Sequence, residues 1–245
     1  LPLLNRLQNE TGGGVEAFEF MPRRYIERHI ERISGADEPF EDAHEVNILV
    51  EVASTRASDL QPDESGTPKL QAILETALMD MISNDKAQDA VIAQNEAQRR
   101  SMWARREAAA EITVGFPGAV DTDVAVPLEA VPSFLKQITA RVQKIDPEGY
   151  EFYLSHLGDG NLHYTFYPSD RSGRFKEPIT EAIEDVVLGL QGSFSAEHGI
   201  GLSKRNSMAR RKDPVALEMM RAIKTALDPK NLMNPGKVYP EPEAR

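Results

Sequence analysis

The chain has 245 residues, with 28 Lys or Arg against 39 Asp or Glu, so its formal net charge is −11. This acidic balance argues against a nucleic-acid partner, because neutralising phosphates requires clustered basic residues. The chain has no cysteine, which excludes disulfides, thiolate nucleophiles, iron–sulfur clusters and cysteine-based zinc sites and leaves His, Asp and Glu as metal ligands. Redox chemistry would therefore need a bound cofactor.

The sequence carries no targeting or membrane signal. It has no run of about 18 apolar residues and no signal peptide at its start, so we expect a cytoplasmic protein without a transmembrane segment. The chain starts at Leu1 with neither an initiator Met nor a helix cap. This start predicts that the chain was cut from a longer protein.

Helix and strand patterns alternate along the first 170 residues. Helices are predicted at residues 1–11, 22–33, 68–82, 96–110 and 127–145, and strands at 15–21, 46–52, 89–94, 120–126 and from 150 onward. The strands alternate apolar and polar residues, which leaves one face of the sheet exposed to solvent and is typical of antiparallel sheets. We therefore predict an α+β fold, with a ferredoxin-like antiparallel sheet and helices packed on one side.

The last third of the chain is predicted to be helical. Helices are expected at residues 174–190, 203–211 and 214–227, with a Gly/Ser-rich bend at 192–201. Two Pro and one Gly forbid regular structure at 228–237, so this tail either packs irregularly or frays. Residues 1–245 are predicted to form one continuous unit, with a ferredoxin-like region at 1–170 and a helical segment at 171–245.

A predicted hairpin at residues 150–168 carries two histidines. Its Asp159-Gly160 pair indicates a two-residue type I′ turn. With these residues at the tip, His156 faces His163 directly across the two strands. Two imidazoles on one face can share a divalent cation; the alternative interpretation is a pair of structural histidines bonded to backbone.

Glu197 and His198 stand side by side in the glycine-rich bend. Neighbouring residues point to different sides, so Glu197 can complete a His, His, Glu metal site while His198 faces a substrate as a base. Such a site keeps open positions for water or a substrate oxygen. The alternative is a solvated loop with an incidental ion pair.

Three motifs, in order, resemble those of the C-terminal domain of FAD-linked oxidases. They are HLGDGNLH at 156–163, EHGIG at 197–201 and DPKNLMNPGK at 228–237. This family of vanillyl-alcohol-oxidase-like flavoproteins includes D-lactate dehydrogenase, the glycolate oxidase FAD subunit and D-2-hydroxyglutarate dehydrogenase. The resemblance covers nearly the whole chain and implies an N-terminal FAD-binding domain that these residues lack.

The resemblance implies the substrate- and metal-binding domain of a D-2-hydroxy-acid dehydrogenase. It implies that His156, His163 and Glu197 hold zinc or manganese, which binds the hydroxyl and carboxylate of the substrate. It also implies that His198 removes the hydroxyl proton while the Cα hydride passes to FAD. The chain alone would then be inactive.

The resemblance also implies roles for residues outside the metal site. Arg106 would bind the substrate carboxylate, the alternative being a surface ion pair. Asn161 and Asn234 would lie near the flavin, the alternatives being turn and cap roles. An electron acceptor would reoxidise the flavin, and a homodimer is the further assembly expected.

Asp121 and Thr165 depart from relatives that take a dicarboxylate, which often carry Lys and Asn at these two positions. A carboxylate near a substrate carboxylate repels it. A smaller or less charged hydroxy acid therefore fits better than 2-hydroxyglutarate.

Two other functions remain open from the sequence. One is a metal-dependent hydrolase or lyase that uses the same His₂Glu site without flavin, and it predicts activity of the isolated chain. The other is a non-catalytic ferredoxin-like interaction module with structural histidines, which predicts no metal.

Overall fold

The computed structural model describes residues 1–62, 64, 66–113, 116–238 and 240. Its helices are Pro2–Thr11 (α1), Arg23–Arg32 (α2), Lys69–Ser83 (α3), Glu96–Glu107 (α4), Ala109–Thr113 (α5), Val131–Ile145 (α6), Lys176–Gly189 (α7), Arg205–Arg211 (α8) and Pro214–Leu227 (α9). Its strands are Val15–Pro22 (β1), Val46–Val52 (β2), Val120–Ala125 (β3), Tyr150–His156 (β4) and Asn161–Tyr167 (β5).

In the described part of the chain, five strands form an antiparallel sheet in the order β2-β1-β4-β5-β3. The β4–β5 hairpin is internal, with β1 on one side and β3 on the other. The predicted α+β class with an antiparallel sheet is therefore confirmed. No helix among the described residues is long and apolar enough to cross a membrane.

The two faces of the sheet have different coverings. Leu162, Tyr164 and Phe166 of β5 belong to a core that includes residues of α6 and α7. On the opposite face, Phe152 of β4 packs in a second core with Tyr25 of α2. Helices thus lie against both faces, where the sequence pattern predicted one. The second core covers only part of its face, and polar residues occupy the remainder.

The strand predicted at residues 89–94 is wrong, because these residues are irregular. Their polar groups bond locally instead of joining a sheet. The carboxylate of Asp89 accepts the N–H of Ala90, and the N–H of Gln94 donates to the side chain of Gln98 in α4. Local side-chain bonds of this kind compete with strand pairing.

Hydrogen bonds hold the tail after α9 near its two ends, although residues 229–235 are exposed. The carboxylate of Asp228 accepts the N–H groups of Leu232 and Met233 at 2.9 and 2.8 Å. Further along, the N–H of Val238 donates to the carbonyl of Gly201 at 3.0 Å. The irregular tail is therefore held next to the glycine-rich bend.

Replacing Leu162 tests how much the apolar core on the face opposite the histidines contributes to stability. The side chain is 1% exposed, so Leu162→Ala should lower the free energy of unfolding by about 2–5 kcal/mol. Urea denaturation followed by circular dichroism measures this loss. The control Leu202→Ala, at a side chain that is 63% exposed, should stay within about 0.5 kcal/mol of the parent. Equal effects of the two changes would contradict the prediction.

Candidate active site

The two hairpin histidines lie on one face of the sheet, with ring centroids 5.2 Å apart. Their predicted register is wrong: His156 is opposite Asn161, and His163 is opposite Leu154. Because Asn161 and His163 are two residues apart on β5, their side chains point to the same face. The imidazoles therefore meet diagonally across the strands.

The turn between β4 and β5 explains the register. Residues 157–160 form a four-residue loop. A type I′ turn needs a positive φ at both central residues, but only Gly160, with φ +79°, has one, and Asp159 does not. The N–H of Gly158 donates to the carbonyl of Phe18, and the carbonyl of Gly160 accepts the N–H of Val126, both at 3.1 Å. A Cβ on Gly160 would lie 2.2 Å from the Val126 oxygen, so this position requires glycine.

The bend after α7 brings Glu197 and His198 to the histidine face. Glu197 Oε1 lies 3.2 Å from His163 Nε2, 3.6 Å from His198 Nε2 and 3.8 Å from His156 Nε2. One carboxylate oxygen is therefore surrounded by three imidazole nitrogens. Imidazole nitrogens and a carboxylate oxygen form a donor set that fits Zn²⁺ or Mn²⁺.

A second combination of donors overlaps with the first. Four potential ligand atoms lie within 4.8 Å of one another, and they belong to Asp123, His163, Glu197 and His198. Asp123 differs from the other three residues, because its buried carboxylate accepts backbone N–H groups of the bend and pairs with Lys204. Burial by itself raises the pKa of Asp123, but the His198 N–H and Lys204 outweigh it and lower this pKa.

Glu19 of β1 holds His156 in one orientation. The two residues are directly opposite each other, and Glu19 Oε2 lies 2.8 Å from His156 Nδ1. A buried carboxylate at Nδ1 favours the proton at that atom, and Nε2 is the ring nitrogen that lies 3.8 Å from Glu197. The hydrogen bond to Glu19 raises the pKa of His156, although burial opposes this change.

The pKa of His163 is shifted in the opposite direction. Burial, reinforced by the charge that His156 carries when protonated, lowers the pKa of His163. A neutral imidazole is the form that binds a metal. The environment thus separates the pKa values of two histidines on one face.

Arg106 of α4 lies beneath His156 and is buried. Its Nε donates to Glu19 at 2.9 Å, and its Nη2 lies 3.3 Å from His156 Nε2. The structure therefore makes Arg106 the counter-ion of Glu19. Binding of a substrate carboxylate by Arg106 stays a prediction.

The two asparagines have different surroundings. Asn161 is buried on the histidine face, and its Oδ1 has no hydrogen-bond partner among the described residues. Asn234 is exposed in the tail, and no hydrogen bond or ion pair within the described ranges joins it to the histidines. Their expected places near the flavin stay predictions.

Sequence analysis missed Glu19 and Asp123 as parts of the site. Glu19 breaks the alternation of β1, and that exception was the available signal, whereas Asp123 occupies an ordinary polar position in the alternation of β3 and gave none. Their partners are distant in sequence, 137 residues apart for Glu19 and His156 and 75 for Asp123 and His198. Spacing alone therefore does not connect them.

Replacing Glu19 tests its control of His156. Glu19→Gln keeps the side-chain size but removes the charge, so the pKa of His156 should fall. The ion pair contributes stability that is complete below the unfolded histidine pKa of about 6.5 and is lost as pH rises through the raised folded-state pKa. The variant should therefore lose more stability in acid than in alkali.

This prediction is measured by NMR titration of the His156 ring in chelator-treated protein, together with urea unfolding across the same pH range. The matched control is Glu16→Gln, an exposed acid on the same strand. An unchanged His156 pKa in Glu19→Gln would contradict the assignment.

Comparison with known proteins agrees with the geometry. Residues 3–238 match the family described as FAD linked oxidases, C-terminal domain. The D-2-hydroxyglutarate dehydrogenase of Xanthomonas citri pv. viticola is 30% identical, over 92% of this chain and 46% of its own length. That of Stutzerimonas stutzeri is 28% identical, over 98% of this chain and 49% of its own length.

A relative from Danio rerio, named "Probable D-lactate dehydrogenase, mitochondrial", is 35% identical over 60% of this chain and 30% of its own length. The chain thus spans less than half the length of these curated relatives. Neither the flavin-free hydrolase or lyase nor the interaction module is favoured. Because the family match covers nearly the whole chain, the chain belongs to the FAD-linked oxidases, as their C-terminal domain.

Proposed function

We propose that this chain is the metal- and substrate-binding part of a flavin-dependent dehydrogenase of D-2-hydroxy acids. The observation that carries the proposal is the position of Glu197 Oε1 within 3.8 Å of three imidazole Nε2 atoms. The family match and the relatives named for 2-hydroxy acids support the same reaction class.

The residues that would hold zinc or manganese are His156, His163 and Glu197. A bound divalent cation supplies a Lewis acid that lowers the pKa of a substrate hydroxyl. Glu19 lies at Nδ1 of His156, and burial lowers the pKa of His163, which favours its neutral form. The Nε2 atoms of both histidines lie beside the Glu197 carboxylate.

His198 is the residue that would accept the hydroxyl proton. Its side chain is 60% exposed, so a substrate can reach it. Nδ1 lies 3.9 Å from the buried carboxylate of Asp123, while Nε2 lies beside Glu197. An imidazole is a suitable base at neutral pH, and Nε2 is the atom on the side of the metal ligands.

FAD supplies the hydride-accepting chemistry, which no side chain of this chain can perform. The flavin would be bound by a separate domain and reoxidised by an external acceptor. Support for such a domain comes from an apolar face on α9, whose side chains are 58–76% exposed and recur every four residues, at Val215, Met219, Ile223 and Leu227. Exposed apolar surface of this extent marks a contact site, and the tail connects it to the bend beside His198.

Removing one ligand tests the metal site. The parent chain should retain near-stoichiometric zinc or manganese after dialysis, whereas His163→Ala should bind at least about tenfold more weakly, because outer-shell changes alone cost tenfold or more. Elemental analysis and chelator competition measure both. The control is His44→Ala, a histidine that contacts Phe40 outside the site. A parent chain that binds no added zinc or manganese would refute the proposed function.

Asp121 bears on the choice of substrate. It lies on the site face of β3, opposite Thr165, whose hydroxyl donates to its carboxylate at 2.8 Å. Asp121 is two residues from Asp123, which is about 7 Å along a strand. An exposed carboxylate on the site face opposes a second negative charge on a substrate bound there.

We therefore expect D-lactate to be preferred over D-2-hydroxyglutarate. Asp121→Lys should raise the ratio of kcat/KM for the dicarboxylate over the monocarboxylate by about tenfold or more, which corresponds to about 1.4 kcal/mol. The assay uses the chain joined to its flavin-binding domain, with flavin reduction as the signal. Glu148→Lys, which makes the same charge change at an exposed turn, should leave the ratio unchanged, and a similar shift in both variants would contradict the prediction.

A further inference from the structure

Asp123 lies under the bend that carries Glu197 and His198. It is opposite His163 in the sheet and only 2% exposed. Its Oδ2 accepts the N–H groups of Ala196, Glu197 and His198 at 3.2, 3.1 and 2.9 Å. Three consecutive amides therefore converge on one carboxylate.

Lys204 is the counter-ion of this carboxylate. Its Nζ lies 3.2 Å from Asp123 Oδ2 and donates to Ser195 Oγ at 2.8 Å. Ser195 Oγ in turn donates to the carbonyl of Gly199 at 2.8 Å. Lys204 thus neutralises the buried charge, which offsets the free-energy cost of burying the carboxylate. Through Ser195, it also links the start of the bend to Gly199.

Backbone hydrogen bonds hold the start and the end of the bend, where the N–H of Val238 donates to the carbonyl of Gly201 at 3.0 Å. Ser193 and Ala125 exchange two backbone hydrogen bonds, and the N–H of Ala196 donates to the carbonyl of Asp123 at 3.1 Å. After Ala196, the amides of Glu197 and His198 have the Asp123 carboxylate as their acceptor. The position of these two residues therefore depends on one side chain.

The hydrogen bonds of Asp123 are shared unevenly between its two carboxylate oxygens. Oδ2 accepts the three amides and lies 3.2 Å from Lys204 Nζ, whereas Oδ1 lies 3.3 Å from the N–H of Glu197. Oδ2 is therefore the atom that holds the bend, and Asp123 acts on the site through it.

We propose that Asp123, with Lys204 as its counter-ion, is a positioning residue that sets the distance of Glu197 and His198 from His163. The inference rests on the proposed function for the roles of Glu197 and His198, but the positioning itself is a property of the chain. It predicts that loss of the carboxylate releases the bend, while the hairpin histidines stay in place.

Three variants distinguish a role of Asp123 in positioning the bend from a role only as the ion-pair partner of Lys204. Asp123→Asn removes the charge and one acceptor oxygen, Lys204→Met removes the counter-ion, and the double variant removes both charges together. The control is Glu184→Gln, because Glu184 is another buried carboxylate, paired with Arg210 and Arg211 at 3.3 and 2.9 Å between α7 and α8. It breaks a comparable ion pair away from the bend.

The first readout is amide hydrogen exchange of residues 196–198 in metal-free protein. Exchange should become at least about tenfold faster in Asp123→Asn and in the double variant, and should stay unchanged in Glu184→Gln. The second readout is Zn²⁺ affinity by chelator competition, with the absorption spectrum of added Co²⁺ as a signature of ligand geometry. Affinity should fall about 10- to 100-fold in the same two variants.

The double variant decides the outcome if Asp123→Asn unfolds, because it leaves no unpaired buried charge. Parent-like exchange and parent-like Zn²⁺ affinity in that variant would overturn the proposal and reduce Asp123 to an ordinary ion-pair partner. If the parent chain binds neither Zn²⁺ nor Mn²⁺, the proposed function fails. Hydrogen exchange in metal-free protein then still confirms or overturns the positioning role by itself.

Discussion

The alternation of side chains along β5 is the constraint on which the site depends. Leu162, Tyr164 and Phe166 are buried almost completely on one face, so Asn161 and His163 must point to the other. A slip of one residue would put an imidazole in the apolar core and an aromatic ring in the site. Burial on the reverse face therefore fixes the register, and the register fixes where the histidines meet.

The site face carries charges that burial makes expensive unless each is paired. Strand carboxylates are matched by cations from covering segments: Glu51 by Arg99 of α4, Glu19 by Arg106, and Asp123 by Lys204. Glu197 differs, because its ion-pair partners among the described residues are three imidazoles. The Glu197 side chain is also 49% exposed, so its carboxylate stays accessible to an incoming ligand, unlike the buried carboxylates of Glu19 and Asp123.

The sequence was sufficient where one element dictates its own pattern. The sequence pattern predicted the bounds of α3 and α9 to within a residue, and the Asp159-Gly160 pair predicted a hairpin that carries both histidines. The sequence was insufficient where contacts with other segments determine the conformation. The turn after His156 is set by hydrogen bonds to β1 and to Val126 after β3. Residues 89–94 form local side-chain hydrogen bonds in place of a strand. The partners of Glu19 and Asp123 became visible only when the sheet order placed β1 beside β4 and β3 beside β5.

The two halves of the site are held with unequal strength. His156 and His163 stand on paired strands with an apolar core beneath them, and such elements open with free energies close to that of global unfolding. Glu197 and His198 stand on a bend whose amides depend on Asp123. Free energy of cation binding that goes into ordering a segment is lost from affinity. A bend ordered in advance by a buried carboxylate would avoid that loss at the proposed cation site.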